Sequence, residues 1–71
     1  MNQKQPNILF LNPSWENNSL IRSICNFGFN VIGFGEILDA NNALLDCYRH
    51  IKGDIHDYKA LYDICNLYNV V

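Results

Sequence analysis

The sequence predicts a small α/β domain in which a parallel sheet is covered by helices on both faces. Short, continuous apolar runs alternate with segments of helical periodicity, in the order strand, helix, strand, short helix, strand, helix, strand. Runs that are apolar on both faces are typical of parallel strands buried between two layers. This alternation predicts an open, doubly wound sheet with three α-β-α layers. Residues 1–71 are expected to belong to one domain.

The first half of the chain predicts a single β-α-β unit. Residues 8–11 form a continuous apolar run, and the polar segment 12–18 ends it with turn-forming Asn, Pro and Ser residues. Residues 19–27 place apolar side chains at helical spacing, and Gly28 follows where helices commonly end in the left-handed conformation. Residues 31–34 then form a second apolar strand, which should lie parallel to the first.

The second half predicts a further strand and helix. Residues 39–42 indicate a turn or a helix start, and 43–48 a short helix. Residues 50–52 form a brief third strand, after which Asp57 is placed to cap a helix. That helix has apolar residues at i, i+3, i+4 and i+7, namely Leu61, Ile64, Cys65 and Tyr68. Residues 70–71 begin a fourth strand, so we expect the sheet to be incomplete at its C-terminal end and the chain to be the N-terminal part of a longer protein.

Charge and composition exclude several kinds of partner. The formal net charge is −2, and the five basic residues are scattered, whereas nucleic acids and anionic membranes require clustered Lys and Arg. No apolar run approaches the length of a membrane-spanning helix. Residues 1–6 are polar and lack the apolar core of a signal peptide, which predicts a cytoplasmic protein. Three cysteines lie in or near apolar stretches, and we expect them to be free thiols in a reducing compartment.

The loop after the first strand is the predicted binding site, because ligands of such sheets bind at the carboxyl ends of the strands. Asn12, Pro13 and Ser14 are the candidate substrate-binding residues. Segment 12–18 contains no glycine, although a dinucleotide fold needs glycine there so that backbone N–H groups approach the pyrophosphate. This argues against ordinary NAD or FAD binding. The alternative is a solvated loop over which Trp15 packs as a lid.

Other polar residues have structural as well as functional interpretations. Glu36 follows the second strand, where dinucleotide folds place a ribose-binding acid, but a solvated turn residue is the simpler interpretation. Asp54 and Asp57 resemble an acid pair, although a turn and a helix cap explain them equally well. Three further residues have metal-binding side chains: Cys47, His50 and His56. Their spacing lacks a second ligand pair, so no metal site is predicted. We identify no catalytic residue.

Residues 8–11 followed by 19–33 resemble the start of ATP-grasp ligases, which commonly open with an apolar strand, a helix and a glycine turn into the second strand. Residues 46–58 resemble the segment of these ligases that carries the next strand and an Asp-containing turn. The resemblance implies a small Rossmann-like domain, the pre-ATP-grasp domain, which forms the substrate-side wall of an ATP-dependent carboxylate-amine ligase.

The same resemblance implies that ATP and Mg²⁺ bind only to downstream domains, so this chain alone should hold no cofactor and have no activity. Its partners would be the remainder of its own polypeptide and a small carboxylate substrate, with no nucleic acid and no membrane. Only residues 12–14 correspond to a substrate-facing position. The family often has glycine there and this chain does not, which leaves the substrate open.

Two alternatives remain. Residues 53–57 are similar to a segment of extended short-chain dehydrogenases and sugar-nucleotide epimerases that lies near the adenine. Those enzymes require three glycines in the first loop, which this chain lacks. The other alternative is a non-enzymatic α/β interaction module, whose exposed sheet edge would invite pairing with another chain.

Overall fold

A computed structural model describes residues 3–38 and 40–71 and shows an α/β fold. The elements are β1 (Asn7–Leu11), α1 (Asn18–Asn26), β2 (Asn30–Gly35), β3 (Tyr48–Lys52) and α2 (Tyr58–Leu67). Short 3₁₀ turns precede α1 and β3, at Trp15–Asn17 and Asn42–Leu44. The three strands form one parallel sheet in the order β1-β2-β3. The predicted fold class is therefore confirmed, in an arrangement consistent with a Rossmann-like domain.

The start of the predicted fourth strand is present as a single parallel bridge. Val70 pairs with Asn7 at the edge of β1 that faces away from β2. The Val71 N–H donates to the Asn7 carbonyl at 3.0 Å. Counted across the sheet, the order is β3, β2, β1 and then Val70, which matches the first four positions of a Rossmann sheet.

The sheet has a separate apolar core on each face. Side chains of successive strand residues point to opposite faces, so β2, which is buried along its whole length, contributes to both cores. The core under α1 contains Ile21, Val31 and Tyr48. The core under α2 contains Ile32, Phe34 and Ile64. The predicted α-β-α layering follows from this division.

Local signals at two helix ends are confirmed, and one predicted helix is wrong. Gly28 has φ +100° and its N–H donates to the Cys25 carbonyl at 3.0 Å, which closes α1. The Asp57 carboxylate accepts from the Ala60 N–H at 3.1 Å and caps α2. The predicted short helix at 43–48 is replaced by the turn Asn42–Leu44, because Tyr48 already pairs with Val31 in the sheet. Asp39, in the predicted turn at 39–42, lies outside the described residues.

The expectation that all three cysteines are free thiols is wrong. Cys25 and Cys47 form a disulfide, with their Cα atoms 6.0 Å apart, and only Cys65 is a free thiol. Cys25 lies in the last turn of α1 and Cys47 directly precedes β3. Packing of α1 over the sheet brings these two positions together, a proximity that spacing along the chain does not reveal. Neither helix in the described part of the chain combines the length and apolar character needed to cross a membrane.

Candidate functional site

A cleft of about 380 Å³ lies at the carboxyl ends of the three strands. One loop follows each strand, and all three loops contribute to the walls. The lining residues are Asn12, Pro13, Ser14, Glu36, Ile37, Asp54, Ile55 and His56. The three residues predicted from the first loop thus lie together in one concave surface of a size typical of small-molecule sites. Their role in binding a substrate stays a prediction.

The loop after β1, residues 12–14, forms the first wall of the cleft and packs unusually closely on the backbone of β2. The Asn12 N–H donates to the Phe34 carbonyl at 2.8 Å, and Asn12 has φ 50°, a left-handed conformation that asparagine tolerates better than most residues. A Cβ atom on Gly35 would lie 2.7 Å from the Asn12 Oδ1 atom. A Cβ atom on Gly33 would lie 2.9 Å from Cγ of the buried Pro13. The two glycines of β2 therefore make room for the loop.

Ser14 is fixed by local hydrogen bonds to Asn17. Its backbone N–H and its hydroxyl both donate to the Asn17 Oδ1 atom, at 3.0 Å and 3.2 Å, and the Asn17 N–H donates back to the Ser14 carbonyl at 2.9 Å. The hydroxyl proton is therefore already used, and no described base contacts the oxygen. This geometry suits a residue that accepts a hydrogen bond from a ligand, rather than a nucleophile.

The third wall is a turn that leads from β3 into α2. The Asp54 carboxylate accepts from the His56 N–H at 2.8 Å, and the Asp57 N–H donates to the Asp54 carbonyl at 3.0 Å. A Cβ atom on Gly53 would lie 2.5 Å from the Phe34 ring, so the turn crosses that ring at a distance only glycine allows. Asp54 and Asp57 thus both have the structural roles that the sequence suggested, although Asp54 also lines the cleft.

The charge of the cleft limits what it can bind. Glu36 and Asp54 supply carboxylates, and the lining includes no Lys or Arg. Phosphate and carboxylate groups are normally held by Arg, Lys or free backbone N–H groups. The walls instead offer oxygen acceptors together with the apolar side chains of Ile37 and Ile55. This surface suits hydroxyl or amino groups of a small, partly apolar molecule.

The structure also shows the surroundings of Cys47, His50 and Trp15. Cys47 is bonded to Cys25 and is therefore not a thiolate ligand for zinc. The His50 Nε2–H donates to the Gly35 carbonyl at 3.1 Å, and its Nδ1 atom accepts from the Tyr48 hydroxyl at 3.2 Å. Within residues 3–38 and 40–71, no group of three metal-binding side chains comes together. Trp15 is 75% exposed, so it does not form the expected lid.

Some lining residues were not anticipated from the sequence. Ile37 carries no motif, and Ile55 and His56 were noted only within the epimerase-like segment 53–57. The positions of their loops bring all three to the cleft. The sequence did carry a signal for the close packing of the first loop on β2, because glycines at alternate positions of an apolar strand, as at Gly33 and Gly35, indicate close approach of another backbone.

A second cleft of about 380 Å³ lies at the opposite, amino-terminal edge of the sheet. Here Asn7 donates through Nδ2 to the Tyr68 carbonyl and accepts through Oδ1 from the buried Asn30 at 2.9 Å. Arg49 lies over the Tyr68 ring, 5.9 Å from its centroid. These side chains are engaged with one another in joining β1, β2 and the end of α2. The carboxyl-end cleft, with its loop residues, is the better candidate site.

No protein-family model, no curated protein and no solved structure matches this chain. The functional argument therefore depends on the geometry of the cleft and on the sequence patterns.

Proposed function

We propose that the chain is the N-terminal, substrate-side domain of an ATP-dependent carboxylate-amine ligase of the ATP-grasp kind. The observation that carries the proposal is the cleft at the carboxyl ends of the strands, whose first wall is formed by Asn12, Pro13 and Ser14. These are the residues that the resemblance assigns to the substrate side. The parallel sheet and its strand order are of the type that the resemblance implies.

The substrate has a preferred orientation in this proposal. A ligase of this kind phosphorylates the substrate carboxylate, so that carboxylate must face the ATP. The acidic lining supplied by Glu36 and Asp54 repels a carboxylate and suits the hydroxyl, amino or apolar remainder of the molecule. ATP and Mg²⁺ then bind outside this cleft, on further domains of the same polypeptide. The chain by itself has no activity, and nucleic acids and membranes are not its partners.

A dinucleotide-binding dehydrogenase or epimerase is the second candidate, and one observation favours it. Glu36, Asp54 and Ile55 line the same cleft. Glu36 occupies the position where dinucleotide folds hold the ribose, and Asp54 and Ile55 match the segment near the adenine in the epimerases. The buried Pro13, packed against Gly33, occupies the place where a glycine-rich loop would receive the pyrophosphate. This opposes the second candidate.

Binding measured by NMR on the 71-residue chain separates the two candidates. Small amino-carboxylates, the corresponding carboxamides, and NAD would each be titrated while the backbone amides of residues 12, 14, 36–37 and 54–56 are followed. The ligase proposal expects shifts confined to these loops with the amino-carboxylates, and negligible NAD binding.

A Ser14→Ala variant should weaken the shifts, whereas Ser19→Ala, at an exposed position on α1, should not. NAD binding with a dissociation constant on the order of micromolar would overturn the proposal in favour of the dehydrogenase. Absence of any shift in these loops at millimolar ligand would also reject it.

A cytoplasmic location is part of the proposal, and the disulfide gives it a test. Cytoplasmic glutathione and thioredoxin keep most thiols reduced, and disulfides there are mostly transient or redox-sensing. The expected outcome is that Cys25 and Cys47 are partly reduced in rapidly acid-quenched cells and react with a thiol-specific alkylating reagent. Complete protection of both residues would indicate an oxidising compartment and contradict this location.

A further inference from the structure

The cleft at the amino-terminal edge of the sheet, called the amino-end cleft below, has a charge opposite to that of the carboxyl-end cleft. Arg49 is the one charged residue in its described lining, which holds no Asp or Glu. The lining also includes four residues with carboxamide side chains: Gln3, Asn7, Asn30 and Asn69. Its volume of about 380 Å³ is sufficient for a small organic molecule.

The guanidinium group of Arg49 is ordered without the help of a carboxylate. Its Nη1–H donates to the Tyr68 hydroxyl at 3.3 Å, and its Cζ atom lies 5.9 Å from the centroid of the Tyr68 ring. No acidic side chain in the described part of the chain pairs with it. An arginine has five N–H donors, so most of them remain available to a ligand. Because Tyr68 already orders the side chain, binding an anion costs less conformational entropy than it would at a freely moving arginine.

The rest of the cleft is fixed by hydrogen bonds and supplies further donors. Asn7 donates through Nδ2 to the Tyr68 carbonyl and accepts through Oδ1 from the buried Asn30 at 2.9 Å. The Asn7 Nδ2 atom carries a second N–H, and the Tyr68 hydroxyl, which accepts from Arg49, keeps its own proton for donation. Asn69 follows with φ 51°, a left-handed conformation that turns the chain back from α2 toward β1.

We propose that the amino-end cleft binds a small hydroxycarboxylate, with the carboxylate on Arg49 and the hydroxyl groups on the surrounding carboxamides. The planar guanidinium fork matches the two oxygens of a carboxylate. A carboxamide both donates and accepts hydrogen bonds, which is the combination that a hydroxyl group requires. The two clefts share no lining residue, so this proposal stands independently of the proposed ligase function.

A phosphate group fits this cleft less well than a carboxylate. Arg49 supplies a single positive charge, whereas a phosphate monoester carries nearly two negative charges at neutral pH. The C-terminal end of α2 forms part of the same wall, at Leu67 and Tyr68, and helix ends of this kind carry a partial negative charge. The net field therefore favours a monovalent anion.

Titration of the 71-residue chain with gluconate, followed by NMR, tests the proposal. Sorbitol is the uncharged control, because it has a similar hydroxylated chain without the carboxylate. Gluconate should shift the Arg49 Nε–H signal and the backbone amides of Asn7, Asn30 and Asn69, with a dissociation constant on the order of 1 mM or lower. Sorbitol should leave these signals unchanged.

Substitutions on β3 identify the residue that binds the carboxylate. Arg49→Gln should weaken gluconate binding by about tenfold or more, and Arg49→Lys should have an intermediate effect, because it keeps the charge and loses the fork. Lys52→Gln is the matched control, since it removes the same charge from an exposed position on the same strand, outside the cleft lining. At physiological ionic strength this control should change the affinity by less than about twofold.

Each other outcome contradicts the proposal in a defined way. Equal binding of sorbitol, or unchanged gluconate affinity in Arg49→Gln, would overturn it. A lower free energy of unfolding in Arg49→Gln, with no gluconate shift in the wild type, would assign Arg49 to the end of α2 alone and overturn it. Inorganic phosphate that binds more tightly than gluconate would overturn the ligand class. Gluconate shifts confined to residues 36–37 and 54–56 would place the ligand in the carboxyl-end cleft instead. Failure of amino-carboxylate binding there, with gluconate binding to the amino-end cleft intact, would count against the ligase proposal alone.

Discussion

Replacing Cys47 with serine removes the covalent link between the end of α1 and the start of β3. The bonded cysteines are separated by 22 positions. In the chain-entropy model, a cross-link over such a loop lowers the entropy of the unfolded chain by ~11 cal/mol/K, which is about 3 kcal/mol at 25 °C. A domain of this size has a free energy of unfolding of about 4–10 kcal/mol, so the loss is a large share of its stability.

The assay is urea unfolding of the wild type and of Cys47→Ser, each with and without dithiothreitol. We expect the substitution and the reductant to lower the free energy of unfolding of the protein by similar amounts, with no additional loss when both are present. Cys65→Ser is the matched control, because Cys65 is a free thiol and its replacement leaves the disulfide in place.

The bond itself can be mapped by cleavage after Glu36, the only glutamate between Cys25 and Cys47. Because Glu16 is cleaved as well, the disulfide joins fragments 17–36 and 37–71, and these two should stay joined until reductant is added. A free energy of unfolding that changes by less than about 1 kcal/mol on reduction, in a sample whose fragments are joined, would refute the entropic argument.

Three further substitutions test the packing and capping of the fold by urea unfolding. Gly33→Ala should lower the free energy of unfolding by about 1–3 kcal/mol, because the new methyl group overlaps the Tyr48 hydroxyl. Adding Tyr48→Phe to this variant should recover part of the loss. An unchanged free energy of unfolding in Gly33→Ala would contradict the close packing. Asp57→Ala should lower the free energy of unfolding by about 1 kcal/mol, because α2 loses its N-terminal cap. Asp63→Ala, at an exposed position of the same helix, is the control and should lower it by less than about 0.5 kcal/mol. Equal effects of the two substitutions would argue against capping. Asn7→Ala should lower the free energy of unfolding by about 1–3 kcal/mol, because it removes one hydrogen bond to the Tyr68 carbonyl and one from the buried Asn30 amide. A loss near zero would show that water replaces both hydrogen bonds.

Local sequence signals predicted most of the fold for identifiable reasons. The apolar runs predicted β1 and β2 to within one residue at each end, since strands in the middle of a layered sheet need apolar side chains toward both faces. Gly28 and Asp57 predicted helix ends correctly, because their conformational and hydrogen-bonding preferences act over only a few residues. Segment 43–48 was mispredicted as helix, since the pairing of Tyr48 with Val31 depends on a partner 17 residues away along the chain.

The candidate site was only partly predictable. The sequence placed Asn12, Pro13 and Ser14 at a carboxyl end, because a strand followed by a polar loop is a local pattern. From the sequence, Glu36 and Asp54 were interpreted as residues of two separate turns. Their proximity to Ile37, Ile55 and His56 in one cleft is visible only in the structure. Residues from three loops share one surface only because parallel pairing aligns the strand ends.

The sequence by itself determined the alternation of strands and helices, the α/β class and the absence of a glycine-rich loop, because periodicity and turn chemistry depend on neighbouring residues. The tertiary structure alone decided the disulfide between Cys25 and Cys47, the position of Val70 at the edge of β1, and the packing of Pro13 over Gly33. Each of these contacts joins residues that lie 20 or more positions apart. Such contacts form only when the sheet fixes the distance between elements, which no local pattern records.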